Sequence, residues 1–231
     1  MRLFQTGSLL MSSRNRKILS RAVLSEYRHA WYLLIWVGYL ALFYLAEQIV
    51  TTDYYVSWLP LDDKIPFCRY FIIPYCMWHP LLVLMTAYLF FFDVPAFKRF
   101  MRAIALGFFP TLLFCLLVPN GQELRPAAFA QDDFFTWLVR CIYAADTNTN
   151  VIPSMHVLGC AALSLACADC QRLRARRLHF VMLPLGVLIS ISTVFVKQHS
   201  VLDVLTALPL CALMWLLIYR PHRKKPQDKA E

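Results

Sequence analysis

Charged residues are scarce in this chain of 231 residues. Asp, Glu, Lys and Arg together make up 16% of the sequence, whereas hydrophobic residues make up 59%. Several apolar runs reach the roughly 20 residues that a helix needs to cross a hydrocarbon layer of ~30 Å. This composition excludes a soluble globular protein and predicts an integral membrane protein.

Other features are missing as well. No long apolar run near the N-terminus leads to a small-residue cleavage site, so we expect no cleaved signal peptide. The eight cysteines include one CxxC, Cys167 to Cys170, with no second pair to complete a tetrahedral metal site. The basic residues are not interleaved with aromatic residues, so the net charge of +9 does not predict nucleic-acid binding.

The apolar runs predict an all-α fold, a bundle of six transmembrane helices, because only helices and closed barrels satisfy backbone polar groups in lipid. The predicted spans are residues 30–50, 67–92, 103–119, 155–168, 178–196 and 201–219. We therefore expect three parts, which are a basic tail at residues 1–29, a six-helix membrane domain at 30–219 and a basic tail at 220–231.

The distribution of Lys and Arg predicts the orientation. Of the 23 basic residues, 18 lie in the two tails and after the second and fourth spans. Cytoplasmic flanks of membrane helices collect such residues. Both termini are therefore predicted to be cytoplasmic, and the segments at residues 119–154 and 197–199 to be extracytoplasmic.

A histidine and an aspartate stand four residues apart where the sixth predicted span begins. Residues four apart share one face of a helix, so Asp203 can accept a hydrogen bond from one ring nitrogen of His199. The other nitrogen can then face a substrate. Charged groups at membrane depth are costly, which makes Asp203 a candidate functional residue.

A second polar cluster precedes the fourth predicted span on the same side of the membrane. The helix start offers free backbone N–H groups, with Ser154 as a candidate cap, and such a terminus binds anions. A phosphate suits these donors together with fixed cations. The predicted phosphate-binding residues are Arg125, Asn150, Ser154 and Lys197.

These residues together predict phosphoryl chemistry without a metal. His199 would attack phosphorus while Asp203 fixes its tautomer, and His156 would protonate the departing alkoxide. Water or another alcohol would then release the phosphohistidine. With a single well-placed carboxylate, the site lacks the oxygen ligands of a Mg²⁺ or Ca²⁺ centre, so we expect no metal and no cofactor. His79 in the second span is expected to be an interior histidine.

The chain resembles the type 2 phosphatidic acid phosphatase superfamily over residues 119 to 205. The resemblance rests on three blocks, which are Arg125-Pro126, Pro153-Ser154-Met155-His156, and Ser192 through His199 to Asp203. It implies that His199 is the phosphoryl acceptor, His156 the acid and Asp203 the orienting partner. The pattern is most similar to the branch of inositol phosphorylceramide synthase-like proteins.

Two positions depart from the pattern of this family. Val118 stands where the family has the lysine of the first block, and Thr193 stands where it has an arginine. Lys197 could supply one of the missing charges. The expected function is hydrolysis of a phosphomonoester or diphosphate lipid at the extracytoplasmic face. The alternatives are phosphotransfer to a lipid alcohol, or a noncatalytic transporter or scaffold. Expected partners are a lipid phosphate and membrane lipids, and the oligomeric state is left open.

Overall fold

A computed structural model describes residues 27–220 of the chain. The predicted cytoplasmic tails, residues 1–29 and 220–231, lie almost wholly outside the described residues. Residues 27–220 are mainly helical, which confirms the all-α prediction. The helices are α1 (Arg28–Ile49), α2 (Arg69–Phe92), α3 (Val94–Leu117), α4 (Phe134–Ala145), α5 (Met155–Asp169), α6 (Gln171–Ala175), α7 (His179–Phe195) and α8 (Val201–Tyr219).

Three of these helices are irregular. Helix α1 opens with a 3₁₀ segment at Arg28–Leu33, α2 breaks at Met77, and α8 ends in a π-helical segment at Trp215–Tyr219. Two short strands, β1 (Tyr55–Val56) and β2 (Asn120–Gly121), pair in parallel and join the loop after α1 to the loop after α3.

Four helices are long and apolar enough to cross a membrane, namely α1, α2, α3 and α8. This result supports a membrane protein. Helices α5 and α7 contain 15 and 17 residues, so they extend only ~23 and ~26 Å at 1.5 Å per residue. Both are shorter than a typical hydrocarbon layer. The count of six spans therefore stays a prediction.

Helix α3 begins at Val94, whereas the sequence predicted a span beginning at residue 103. The Asp93 side chain caps the helix by accepting a hydrogen bond from the backbone N–H of Ala96, at 3.0 Å, and Pro95 lies in the first turn. The basic residues that were expected to form a loop lie on this helix instead. One of them, Arg99, pairs with Asp169 at the end of α5, with 2.7 Å between Nε and Oδ2.

Helix α5 is the central helix of the bundle and packs against α2, α3, α7 and α8. Most of its side chains are buried, and Phe97, Phe100 and Phe108 of α3 are completely buried in the same core. The beginnings of α5 and α8 meet, because the backbone N–H of Ser154 donates to the carbonyl of Asp203 at 3.0 Å. This contact brings together the two histidine-bearing segments.

The sequence did not predict α4, which lies in the long segment between α3 and α5. Asp133 caps this helix through the backbone N–H of Thr136, and its carboxylate also pairs with Arg69 at 2.8 Å. At the other end, the Tyr143 hydroxyl donates to the carbonyl of Val196 at 2.6 Å. Helix α4 is thereby attached to the turn that carries His199.

Candidate active site

His199 lies in the short turn between α7 and α8. Its backbone N–H donates to the Thr193 carbonyl at 3.2 Å, and the turn is possible because Lys197 adopts a left-handed conformation, with φ of 57°. Ser200 and Asp203 then form a reciprocal capping box at the start of α8. The helix start therefore fixes both His199 and the carboxylate four residues beyond it.

Asp203 is fully buried and both of its oxygens are engaged. One oxygen, Oδ2, lies 3.0 Å from His199 Nδ1 and accepts from the Ser200 N–H at 2.9 Å. The other, Oδ1, accepts a hydrogen bond from the Ser57 hydroxyl. Because a carboxylate can only accept, His199 carries its proton on Nδ1 and presents a lone pair on Nε2.

His156 lies in the first turn of α5, with its Nδ1 3.2 Å from His199 Nε2. Its ring is held between Tyr75 and Trp78, at centroid distances of 4.7 and 4.4 Å. Gly159 permits this approach, since a Cβ there would lie 2.5 Å from Trp78 Nε1. His156, His199 and Asp203 thus form one hydrogen-bonded chain.

The loop between α1 and α2 supports this chain from one side. Asp62 is 1% exposed, and its carboxylate accepts from the Ser200 hydroxyl at 2.6 Å and from the Val201 N–H at 2.9 Å. Ser57 of the same loop reaches Asp203. Ser57 and Asp62 were not predicted as site residues, because nothing local in the sequence links them to residues about 140 positions away.

Lys197 does not face the histidines. Its Nζ donates to the carbonyls of Asp62 and Ile65, at 2.8 and 2.6 Å, and the residue is 7% exposed. Burial lowers the pKa of this ammonium, and the neighbouring Asp62 and Asp63 oppose that effect. The left-handed turn directs the side chain at the loop, so the structure does not bring Lys197 into the predicted phosphate site.

Arg125 lies beside the site, but acceptors of the protein occupy most of its N–H groups. Its Nε and Nη2 donate to Gln198 Oε1 at 2.9 and 2.6 Å. The remaining bonds go to the backbone carbonyls of Tyr143, Asp146 and Thr147. No bidentate fork is left for a phosphate, and Arg125 instead fixes the residue that precedes His199.

Ser154 and Asn150 are buried near the start of α5 with unused hydrogen-bonding capacity. Ser154 precedes the helix, but its side chain forms no capping bond, and its Oγ has no partner among the described residues. Asn150 donates through Nδ2 to Glu47 at 2.7 Å, while its Oδ1 has no partner within residues 27–220. His156 Nε2 also has no hydrogen-bond partner among the described residues.

The two positions that depart from the family pattern supply no cation. Thr193 is fully buried, and its hydroxyl donates to the Ser190 carbonyl at 2.8 Å. Val118 is 43% exposed beyond the end of α3. Neither position therefore places a positive charge beside the two histidines.

A cavity of about 680 Å³ opens at the histidines and extends between α1 and α2. Its polar end includes Asp146, Asn150, His156, Gln198 and His199. His79, which was expected to be an interior histidine, also lines this cavity. The wall farther along is apolar and is formed by Leu33, Trp36, Leu40, Phe43, Leu82, Val83, Phe90 and Phe91.

Two carboxylates near the polar end were not anticipated from the sequence. Burial and, to a smaller extent, the neighbouring Glu47 raise the pKa of Asp146 to about 6, against the opposing effect of His199 and Arg125. Glu47 accepts hydrogen bonds from Thr147 and Asn150. No group of three or more His, Cys, Asp or Glu residues with metal-binding geometry occurs in the described part of the chain.

Comparison with protein families gives one match. Residues 117–227 match the family model described as the PAP2 superfamily, whose members are generally phosphatases. The match includes Arg125, His156, His199 and Asp203, and it does not single out the inositol phosphorylceramide synthase-like branch. No curated protein and no solved structure matches the chain.

Proposed function

From the PAP2 superfamily domain at residues 117–227, we propose that this chain is a membrane enzyme that cleaves a lipid phosphate ester through a phosphohistidine on His199. The observation that carries the proposal is the hydrogen-bonded chain from His156 to His199 to Asp203 at the polar end of a cavity. Such an arrangement joins an acid, a nucleophile and an orienting carboxylate.

In the first half-reaction, the lone pair on His199 Nε2 attacks phosphorus and a bond from nitrogen to phosphorus forms. Asp203 holds the Nδ1 proton and stabilises the positive charge that develops on the ring. The bond from phosphorus to the leaving oxygen breaks, and His156 gives that oxygen a proton. Since 3.2 Å separates the two histidines, the entering phosphate must replace their hydrogen bond.

In the second half-reaction, water enters at the position of the leaving group. His156, now neutral, removes a proton from the water while the oxygen attacks phosphorus. The bond between phosphorus and His199 breaks, and phosphate is released. Each half-reaction uses the same two histidines, so neither step requires a metal to generate the nucleophile.

Groups at the start of α5 are suited to bind the phosphate. The backbone N–H groups of the first turn and the positive end of the helix dipole attract an anion. The unpartnered Ser154 hydroxyl adds a donor at the same place. Arg125 contributes positive charge at short range and holds Gln198, while Lys197 stabilises the adjoining loop.

The apolar cavity wall favours a lipid substrate. An acyl chain can occupy the space between α1 and α2 while its phosphate reaches His199 at the polar end. The excess of basic residues in the two tails and in the loops on their side supports an extracytoplasmic site and cytoplasmic termini. Six spans satisfy this orientation, with the short helices α5 and α7 as the fourth and fifth of them.

Hydrolysis is the first candidate reaction because water needs no further binding site. Transfer to a lipid alcohol is a second candidate, since it shares the first half-reaction and differs only in the acceptor. A noncatalytic transporter or scaffold is the third, which the absent cations at Val118 and Thr193 permit. The costly buried Asp203 argues against this third candidate.

The test measures release of phosphate or of the dephosphorylated lipid by the purified chain in detergent, with EDTA present. We expect activity that His199→Ala and His156→Ala reduce by a factor of about 1,000 or more, as for the loss of a nucleophile or a proton donor. Asp132→Asn serves as a matched control, because Asp132 is an exposed carboxylate. Full activity in His199→Ala, or activity that EDTA abolishes and Mg²⁺ restores, would disprove the mechanism.

A further inference from the structure

We propose that the segment joining α5 to α7 binds the headgroup of an anionic lipid that carries a phosphomonoester. The binding residues are its four arginines, here called the arginine loop, which are Arg172, Arg174, Arg176 and Arg177. The loop follows the end of α5, whereas His156 lies at the beginning of that helix. The inference is independent of the proposed function, because no residue of the loop lines the cavity at the two histidines.

The backbone of the arginine loop has a fixed conformation. Leu173 of α6 is 8% exposed and packs into the core of the bundle. The N–H of Leu178 donates to the Leu173 carbonyl at 3.1 Å, and the N–H of Arg177 donates to the Arg174 carbonyl at 2.9 Å. These two hydrogen bonds form a Schellman motif, which ends a helix at a residue in the left-handed conformation. That residue is Arg177, with φ of 56°.

An arginine is an unusual residue at this position of a Schellman motif. Glycine usually occupies it, because the left-handed conformation is unfavourable for a residue that has a Cβ. The side chain of Arg177 gains no hydrogen bond and no ion pair within residues 27–220 that would compensate for this conformation. A residue held in an unfavourable conformation suggests a functional role, which here belongs to the exposed side chain.

The positive charge of the arginine loop has no counter-charge among the described residues. All four arginines are exposed, and none of their side chains pairs with a carboxylate there. The two carboxylates at this end of the bundle are engaged elsewhere, since Asp169 pairs with Arg99 and Asp93 caps α3. Residues 1–26 and 221–231 contain nine basic and three acidic residues, so the tails carry the same sign of charge. The chemistry of the loop therefore suits an anion from outside the chain.

The surface next to the arginine loop favours a lipid as the source of this anion. Leu178, Phe180 and Val181 follow the loop and are 39%, 69% and 61% exposed, as suits contact with acyl chains. The arginines then lie at the level of the headgroups. A guanidinium fork binds two phosphate oxygens at once, and a phosphomonoester offers three outer oxygens and almost two negative charges. Membrane orientation alone would require positive charge in this loop, but not arginine in a fixed turn.

Equilibrium binding of short-chain phosphatidylinositol 4-phosphate to the full chain in detergent tests the site. We expect a Kd about 10-fold lower than for phosphatidylserine with the same acyl chains, which has no phosphomonoester. Inositol 1,4-bisphosphate, the same headgroup without acyl chains, should bind about 10-fold more weakly than the lipid. Equal Kd values for the two lipids, or for the lipid and the free headgroup, would overturn the proposal.

Two substitutions separate the charge of the loop from its geometry. Arg177→Gly keeps the turn and removes one charge, so the Kd for phosphatidylinositol 4-phosphate should rise about 5-fold. Its melting temperature without lipid should be equal or higher, because glycine adopts the left-handed conformation readily. Arg174→Lys keeps the charge but loses the fork, so it should weaken binding of this lipid more than binding of phosphatidylserine. The control is Arg140→Gln, which removes an exposed arginine of α4 and should change neither Kd.

His199→Ala separates the arginine loop from the cavity at the histidines. The Kd for phosphatidylinositol 4-phosphate should be the same in this variant as in the unaltered chain. Loss of binding in His199→Ala, with unchanged Kd in Arg177→Gly and Arg174→Lys, would place the headgroup at the histidines and overturn the proposal. A lower melting temperature of Arg177→Gly would contradict the argument from the left-handed turn.

Discussion

Asp146 is a carboxylate whose ionised form is disfavoured by burial, so its ionisation lowers the stability of the folded chain. The Asp146 carboxyl titrates near pH 6 in the folded chain because burial and Glu47 disfavour its charge. Folding at neutral pH therefore proceeds against the cost of ionising this group. A residue that lowers stability while lining the cavity at His199 has the character of a functional group rather than of a structural one.

Asp146→Asn should make the protein more stable at neutral and alkaline pH. Folding raises the pKa of Asp146, so the protonated carboxyl favours the folded chain. This contribution to stability is fully present below the ordinary value of 3.8 and is lost as pH rises through about 6. Removing the charge should therefore add about 2 kcal/mol at pH 8, after allowance for partial exposure, and much less at pH 4.

Thermal unfolding in detergent at pH 4 and pH 8 measures this difference. Asp132→Asn is the control, since its exposed carboxylate pairs with Arg140 at the surface. A melting temperature of Asp146→Asn that falls at pH 8, or rises equally at both pH values, would contradict the buried-charge argument.

Single residues differ in how well the sequence located them. His199 and Asp203 were predicted as a pair because four-residue spacing on a helix is a local rule, and the structure places them 3.0 Å apart. The orientation of Lys197 depends on the left-handed backbone conformation of this one residue, which no local sequence pattern predicts. Asp146 and Glu47 come together across about 100 residues of chain, so their shared environment is a property of the tertiary structure alone.

At the scale of elements, the loop between α1 and α2 supports the turn that carries His199. Ser57 and Asp62 of this loop bind Asp203 and Ser200, while Lys197 binds the loop in return. The contacts tie together segments from both ends of the described chain. The loop thereby restricts the rotation of His199 that would break its bond to Asp203.

Lys197→Met should weaken this support without affecting phosphate binding directly. The variant keeps the length of the side chain but leaves two buried carbonyls without their donor, which costs about 1–3 kcal/mol. We expect a lower melting temperature and a lower kcat, with KM for the lipid nearly unchanged. Lys64→Met, an exposed lysine of the same loop, should change neither quantity.

The opposite result would support the phosphate-binding role of Lys197 that the sequence predicted. A phosphate-binding lysine should raise KM strongly on substitution and leave the melting temperature in place. Steady-state kinetics and thermal unfolding of Lys197→Met and Lys64→Met therefore decide between a structural and a substrate-binding ammonium.

The elements themselves were predictable where hydrophobic runs are long. Helices α1, α2 and α8 agree with their predicted spans to within a few residues. Helix α4 was missed because it has 12 residues and charged neighbours, which place it below the length of a span. The start of α3 was missed because Asp93 and Pro95 form a capping signal that outweighs the basic residues after it.

At the scale of the whole molecule, the cavity joins the end of the bundle that carries His156 and His199 to the surface between α1 and α2. Val83 lines this cavity and is 67% exposed, so it lies where an acyl chain would enter. Val83→Trp should obstruct the passage and lower kcat/KM for long-chain lipids about 10-fold, the equivalent of ~1.4 kcal/mol. A soluble dihexanoyl analogue of the same headgroup should be affected much less.

Val181→Trp is the control for this experiment, because Val181 is similarly exposed on α7 and does not line the cavity. Equal losses for both lipids in Val83→Trp, or equal losses in the two tryptophan variants, would mean that the acyl chain does not enter between α1 and α2.

The orientation of the molecule can be tested with a natural cysteine. Cys141 is exposed on α4, whereas the other cysteines of the described chain are buried or half-buried. Helix α4 is attached to the turn that carries His199 through Tyr143 and Val196, so the side on which Cys141 reacts is the side of His199. We expect a membrane-impermeant maleimide to label Cys141 in sealed right-side-out vesicles.

Cys141→Ser should lose this label, which assigns the signal to one position. Labelling that appears only after the vesicles are permeabilised would place His199 on the cytoplasmic face, against the direction that the Lys and Arg distribution predicts. In that case the lipid phosphate would have to reach His199 from the cytoplasmic leaflet. The cavity between α1 and α2 would then have to admit an acyl chain from that leaflet.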